Sequence, residues 1–399
     1  MRVLSALACL TVAWFSFAAP RGKAEVWNRH VVDASSRGAD GVRLADVNAD
    51  GLPDIATGWE EGGKVRAYIN PGPKAAKKPW PAVTTGSVPS PEDAVFLDLD
   101  SDGSYDVISS TEGDSKTLFV HWAPQKAEEY LDSSQWRTEA IPASAGIARW
   151  MFVAPLDIDG RYGVDFFAGS KEPGGAIGWF EAPRDPRDLS AWRWRPLYDA
   201  GWIMSLRTRD MDGDGDLDLL ASDRKGPLRG ILWVENPGPT RARGDWTVHR
   251  IGPVDEYEPL FLDVCDLDGD GADDVVVATK GPILFYRRSD DEYEKIAIEP
   301  PSNVGGGKAI AIGDIDLDGR LDLVYSCEGA SEGREGVVWL SYEKTPAEPR
   351  WTAHSLAGPQ GVKFDRLELL DLDGDGDLDV LTCEERDNLG VIWYENPTR

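Results

Sequence analysis

An acidic nonapeptide, Asp-x-Asp-x-Asp-Gly-x-x-Asp, recurs along the chain. Copies open at Asp46, Asp98, Asp210, Asp266, Asp314 and Asp371, with a degenerate one at Asp157. Successive copies start 52, 59, 53, 56, 48 and 57 residues apart, too evenly for chance. A fixed period of this length marks one supersecondary unit repeated along the chain, each copy burying its apolar face against its neighbours.

Each copy sits between short β-type runs, Val95–Leu99 before one and Asp106–Ser109 after it, Leu369–Leu372 and Asp379–Thr382 around another. A third strand recurs downstream, at Ile177–Glu181, Ile231–Glu235, Val337–Leu340 and Val391–Glu395. Several of these run into Asn-Pro or Ala-Pro, which ends strand pairing. A fourth strand begins at Trp or Tyr: Trp136–Ile141, Trp194–Tyr198, Trp246–Ile251, Tyr293–Ile298, Trp351–Leu356. Four antiparallel strands per repeat predict an all-β propeller. The chain ends on a third strand, whereas Val26–Val32 matches a fourth strand with no partners before it. The N-terminal strand is therefore expected to complete the last blade and close a ring of seven four-stranded blades, spanning residues 25–399.

Alternating carboxylates repel one another unless a cation neutralises them, and a hard ion such as Ca²⁺ takes six to eight oxygens. Gly at the sixth position permits the sharp turn. The expected ligand sets are Asp98, Asp100, Asp102 and Asp106; Asp210, Asp212, Asp214 and Asp218; Asp266, Asp268, Asp270 and Asp274; Asp314, Asp316, Asp318 and Asp322; and Asp371, Asp373, Asp375 and Asp379. The first repeat offers Asp46, Asn48, Asp50 and Asp54. The third keeps Asp157, Asp159 and Asp165, but Arg161 replaces the central carboxylate and is placed to stand in for the metal. An EF-hand is excluded, because it needs Glu at position 12, where the copy at Asp210 has Ala221. Calcium here is expected to be structural.

Composition narrows the partners. Lys+Arg total 42 against 70 Asp+Glu, a formal charge of -28, so a phosphate backbone would be repelled and nucleic acid is not expected. Seven divalent ions would halve that charge. Hydrophobic residues at 41% supply a core and exclude disorder of the whole chain. Residues 1–24 read as a secretory signal, with Arg2, an apolar run from Val3 to Ala18 and small residues after it. The mature protein is expected to be secreted or periplasmic, monomeric and without a membrane span. Cys9 falls in the signal; Cys327 and Cys383 occupy similar repeat positions and could pair, or be buried free thiols like Cys265.

In its acidic loops and its Trp-[Phe/Val/Tyr]-Glu-[Asn/Ala]-Pro strand ends, the chain resembles the FG-GAP/VCBS family of seven-bladed propellers, which includes integrin α-subunit heads and secreted bacterial proteins. The Phe-Gly and Gly-Ala-Pro signatures of integrin repeats are mostly missing, so the VCBS type is closer. The resemblance implies calcium loops and no residue-level activity.

In such a meander the acidic loops share one face with the third-to-fourth connections. A ligand is expected on the opposite face, around the central channel. Most tryptophans fall at recurrent strand positions; Trp59, Trp150, Trp192 and Trp202 do not, and all but Trp192 belong to opposite-face loops. Glu112, Lys171, Asp223, Arg224, Lys225, Lys280, Glu328 and Glu384 follow second strands there, and Arg149, Glu256, Tyr257, Lys308, Asp365 and Arg366 precede first strands. Aromatic platforms beside charges suit a carbohydrate, acidic ones included, or an extracellular protein. The alternative is a carbohydrate-active enzyme of the polysaccharide lyase or aldos-2-ulose dehydratase kind. No Ser/His/Asp, Cys/His, phosphate-loop or zinc pattern appears. His30, His249 and His354 each stand three residues after a fourth-strand Trp, and His121 lies in a third strand; packing is expected for all four.

Overall fold

The computed structural model describes residues 26–289 and 292–399; the expected signal, Cys9 and Trp14 lie outside them. The described residues form seven four-stranded antiparallel sheets. Blades 1 to 6 each run through four consecutive strands, beginning at Ala39–Ala45, Pro91–Leu97, Arg149–Leu156, Ile203–Arg209, Pro259–Cys265 and Gly306–Gly313. Blade 7 takes Phe364–Leu370, Asp379–Glu384 and Gly390–Glu395 from the C-terminus and Asn28–Asp33 from the N-terminus. First strands of successive blades pack on one another around the ring, so they line the centre.

The closure is as expected. Asn28 lies opposite Glu395 and His30 opposite Trp393 in an antiparallel ladder, which pairs two strands that would otherwise be open edges. Fourth strands are half exposed, whereas second and third strands are almost wholly buried. Burial of this kind explains their runs of Val, Ile, Leu and Phe: both faces meet a neighbouring blade. Hydroxyls stitch the blades together. Ser110 Oγ donates to Met151 O at 2.6 Å, Ser222 Oγ to Leu260 O at 2.6 Å and Ser326 Oγ to Asp365 O at 2.7 Å, each from a second strand to the first strand of the next blade.

Cys327 and Cys383 are buried free thiols, in the separate cores of blades 6 and 7. Among the described residues no helix is long and apolar enough to cross a membrane. The histidines pack as expected. His249 stacks on Trp233 and His354 on Trp339, with centroids 4.0 and 3.8 Å apart, and His30 packs tilted on Trp393 at 4.4 Å. His121 is fully buried between the hydroxyls of Ser109 (2.8 Å) and Thr138 (2.9 Å).

Two expectations follow. Deleting residues 26–33 exposes the Gly390–Glu395 edge, and the truncated protein should aggregate or swap strands in size-exclusion chromatography. Burial also pushes the His121 pKa down to about 3, so the unfolded chain takes up a proton below pH 6.5 that the folded chain refuses. Stability should fall as pH drops from 6.5 towards 3, by up to about 1.4 kcal/mol per unit from this group. Relative to His121→Gln, wild type should lose stability over that range; parallel curves would show that His121 is not held neutral.

Candidate functional site

The acidic loops are built on one template. The glycine at position six has positive φ (84° at Gly51, 90° at Gly103, 97° at Gly215) and donates its N–H to the first Asp of its loop, at 2.8, 3.1 and 3.1 Å respectively. Gly271, Gly319 and Gly376 repeat the bond at 2.9, 3.0 and 3.1 Å. In the third loop Tyr162 takes that position at φ 63°, a left-handed conformation that costs a side chain strain.

The ninth-position Asp does more than reach back to a loop. Asp54, Asp106, Asp165, Asp218, Asp274 and Asp379 each accept one backbone N–H from the loop start and another from the end of the third strand, as in Val47 and Asn70 to Asp54 at 3.0 and 2.7 Å. Asn70, Asn236 and Asn396 complete the clamp. Each Nδ2 donates to the carbonyl just before that Asp, at 3.0–3.1 Å. The recurrent Asn-Pro is therefore a clamp as well as a strand stop.

Several loops bring carboxylate oxygens within 4.8 Å of one another: Asp98, Asp100 and Asp102; Asp157, Asp159 and Asp165; Asp210, Asp212 and Asp218; Asp266, Asp268 and Asp274. Asp266 Oδ1 and Asp373 Oδ1 are buried without a hydrogen bond, which is a costly state that an ion would relieve. The donors are all oxygen, so the loops fit a hard divalent cation. The third loop differs from expectation. The guanidinium on Asp159 is that of Arg243, from the next blade, at 2.7 Å; Arg243 also pairs with Glu181.

The opposite mouth of the channel holds a cavity of about 180 Å³ lined by Asp40, Glu60, Glu92, Glu112, Met151, Lys171, Trp202, Met204, Arg224, Lys308, Glu328 and Lys363. Two repeat positions build it. Six residues before each acidic motif stand Asp40, Glu92, Met151, Met204, Leu260, Lys308 and Asp365. Every first strand shifts register at or beside this residue. Such bulges re-aim side chains, here towards the channel. Six residues after the ninth-position Asp stand Glu60, Glu112, Lys171, Arg224, Lys280, Glu328 and Glu385. Blades 6, 7, 1 and 2 are thus acidic apart from Lys308, whereas blades 3 to 5 pair one base with one apolar residue.

Of the expected ligand residues, Glu112, Lys171, Trp202, Arg224, Lys308 and Glu328 meet at this cavity. Burial works to raise the Glu112 pKa, but the Lys171 ammonium outweighs it and holds Glu112 below the usual range. Arg224 pairs with Glu258 at 2.7 Å, with Lys225 behind it at 3.9 Å. Lys171, Arg224 and Lys225 all lie within 4.7 Å of the Trp202 ring centroid, so this ring is crowded by cations. Arg149 is a rim residue paired with Asp114 at 3.3 Å, and Tyr257 packs its ring on Gly281. Asp365 supports Lys308 at 3.0 Å. Arg366, also buried, stands beneath with Lys308 over the Phe261 ring; burial, then the nearby Arg43 and Arg207, lowers its pKa to about 9.

Four expected ligand residues are structural instead. Trp59 and Trp150 lie within strands, fully buried, their indole N–H groups donating to Tyr68 Oη (2.9 Å) and Ser144 O (3.1 Å). Asp223 is buried and accepts the backbone N–H groups of Gly201 and Trp202 at 2.8–3.1 Å. Glu384, also buried, accepts from Val362, Lys363, Arg386, Asp387 and Leu389 at 3.0–3.1 Å. Each sits one residue away from, or beside, the position that faces the channel. Asp40, Glu60, Glu92 and Lys363 were not anticipated, although counting six residues from each motif finds the first three.

A seven-bladed ring with acidic loops on one face and a charged channel mouth on the other defines the class of protein. Residues 46–109 and 266–325 match the FG-GAP-like repeat family, so the chain carries FG-GAP-like repeats on this propeller. Among similar solved structures is a candidate 6-phosphogluconolactonase from Bacteroides uniformis, at 13% identity and TM-score 0.52 over 91% of this chain and 93% of that one. Another is BBS1N in complex with ARL6DN, at 10% identity and 0.52 over 94% and 99%. A third is the extracellular domain of a candidate hybrid two-component system from B. thetaiotaomicron, at 11% identity and 0.52 over 92% of this chain and 39% of that one. At these identities the likeness is one of fold.

Proposed function

We propose that residues 25–399 form an exported, calcium-stabilised binding module that engages a polar carbohydrate or an extracellular protein at the channel mouth, with residues 1–24 serving as its secretion signal. The observation that carries the reading is the channel mouth itself, where charged side chains from six blades converge on one cavity. At about 180 Å³ it is smaller than the roughly 300–1,000 Å³ of enclosed small-molecule sites. It suits one sugar unit or one side chain at the tip of a larger ligand. Fold alone does not choose a function, since similar folds occur in a candidate lactonase and in a chain complexed with a protein.

Two features redirect the ligand chemistry. With Trp59 and Trp150 buried and Trp202 crowded by cations, aromatic stacking gives way to charge and hydrogen bonding. An anionic group, a uronate or a carboxylate side chain, would exchange for Glu112 or Glu258 as the partner of Lys171 or Arg224. A second reading, a lyase or dehydratase, has one observation in its favour: burial and the neighbouring Glu112 push the Glu60 pKa up to about 7, suited to proton transfer at neutral pH.

Binding to a glycan array and to extracellular protein candidates should be lost in Arg224→Ala and retained in Lys126→Ala, which lies far from the mouth. Unchanged binding in Arg224→Ala would move the site elsewhere, and a cleaved or dehydrated glycan in mass spectrometry would favour the enzyme. Trp150→Ala should lower Tm, since removing a buried Trp costs about 3–5 kcal/mol. For the loops, EDTA should lower Tm by about 5 °C or more and calcium restore it, because a ligand at a hundredfold excess over Kd adds about 2.7 kcal/mol per site. An unmoved Tm would overturn the structural role of calcium.

A further inference from the structure

The channel mouth contains three carboxylates for which the described residues supply no close cation. Every cation lining the cavity has a carboxylate of its own: Lys171 has Glu112, Arg224 has Glu258, Lys308 has Asp365 and Lys363 has Glu385. Glu328 is paired with Lys280. Asp40, Glu60 and Glu92 remain. Asp40 and Glu92 are 6% and 7% exposed and line the cavity, and among the described residues their close side-chain partners are other acids, Asp365 for Asp40 and Glu112 for Glu92. Glu60 accepts one, from the Ser90 hydroxyl at 3.3 Å. Lys308 and Lys363, though salt-bridged to their own partners, both attract Asp40, and Lys308 attracts Glu92 and Lys363 attracts Glu60 as well.

Buried carboxylates in this state are expensive unless a counter-charge arrives. Burial first, then repulsion by Glu92 on Asp40 and by Glu112 on Glu92, pushes both well above the usual carboxylate range. One oxygen from each of the three residues lies within 4.8 Å of the others. That separation suits an ion at their centre, since calcium–oxygen distances are about 2.3–2.6 Å. We propose that Asp40, Glu60 and Glu92 hold one hard divalent cation in the channel mouth, distinct from any ions in the acidic loops. The ligand atoms are all carboxylate oxygens, which suit Ca²⁺, Mg²⁺ or Mn²⁺ and disfavour softer metals. Three protein ligands leave coordination positions open to the cavity, where water or a hydroxyl or carboxylate of a bound molecule would complete the shell. The ion does not depend on the ligand reading: occupancy without glycan or protein binding would retain the one and discard the other.

The test is anomalous diffraction from crystals of the protein soaked in MnCl₂, combined with calcium counting by native mass spectrometry on wild type, Glu92→Gln and Asp40→Asn. An anomalous peak bounded by Asp40, Glu60 and Glu92 is expected, together with the loss of one ion per chain in each variant. In EDTA, Glu92→Gln should melt above wild type, since it removes one repelling acid. If either variant fails to fold, the other and the wild-type map decide. No peak in the channel, whatever the loops hold, or a wild-type ion count in a folded variant, overturns the proposal and leaves the three acids as a protonated cluster.

Discussion

Each blade depends on one buried carboxylate. The Asp that closes each acidic motif sits at the start of a second strand. In six blades its two oxygens take one N–H from the loop before it and one from the end of the third strand. Three strands are thereby tied at one end, and where Asn follows, its amide adds a third tie. The same bonds orient the loop, so the other acidic side chains converge on a common point. A loop that could hold an ion is thus also the corner that sets the pairing of its blade.

Repetition turns local corners into a polarised ring. Because each blade repeats the same bulge in its first strand, five of the seven residues six before the motif, Asp40, Glu92, Met151, Met204 and Lys308, line the channel mouth. Blades differ only in what they place there. Asp40 and Glu92, with Glu60 and Glu112, make one arc acidic, whereas Met151 and Met204 stand with Lys171 and Arg224 on the other. Deeper in the channel, Arg43, Arg207 and Arg366 lie among Asp93, Asp263 and Glu368, so charge continues inward instead of giving way to a greasy plug.

Strand number, blade number and the acidic loops were legible because each has a local signature repeated along the chain, and repetition suppresses accidental matches. The channel was half legible. Lys171, Arg224, Lys308 and Glu328 were found by their loops, but Asp223 and Glu384 stand one position off the register that faces the channel and turn inward to backbone N–H groups. Trp59 and Trp150 misled for a similar reason. Each lies in a strand that enters the loop region and is fully buried, Trp150 against Phe180 and Trp194 and Trp59 bonded to Tyr68.

By itself the sequence determined the repeat and, through it, the fold, because alternating aspartates, a left-handed glycine and strand-length apolar runs are local demands that few backbones satisfy. It also determined that the ring closes through the N-terminal strand, since an unpaired edge and an unpaired strand remained at the two ends. Only the tertiary structure decided which charges are neutralised. Pairing of Lys171 with Glu112 or Lys308 with Asp365 joins residues 59 or 57 positions apart in neighbouring blades, and those partners are set by the bulge and the curvature of the ring. That Asp40, Glu60 and Glu92 are left without a salt-bridged cation is the remainder of that pairing, and no reading of one repeat at a time could have shown it.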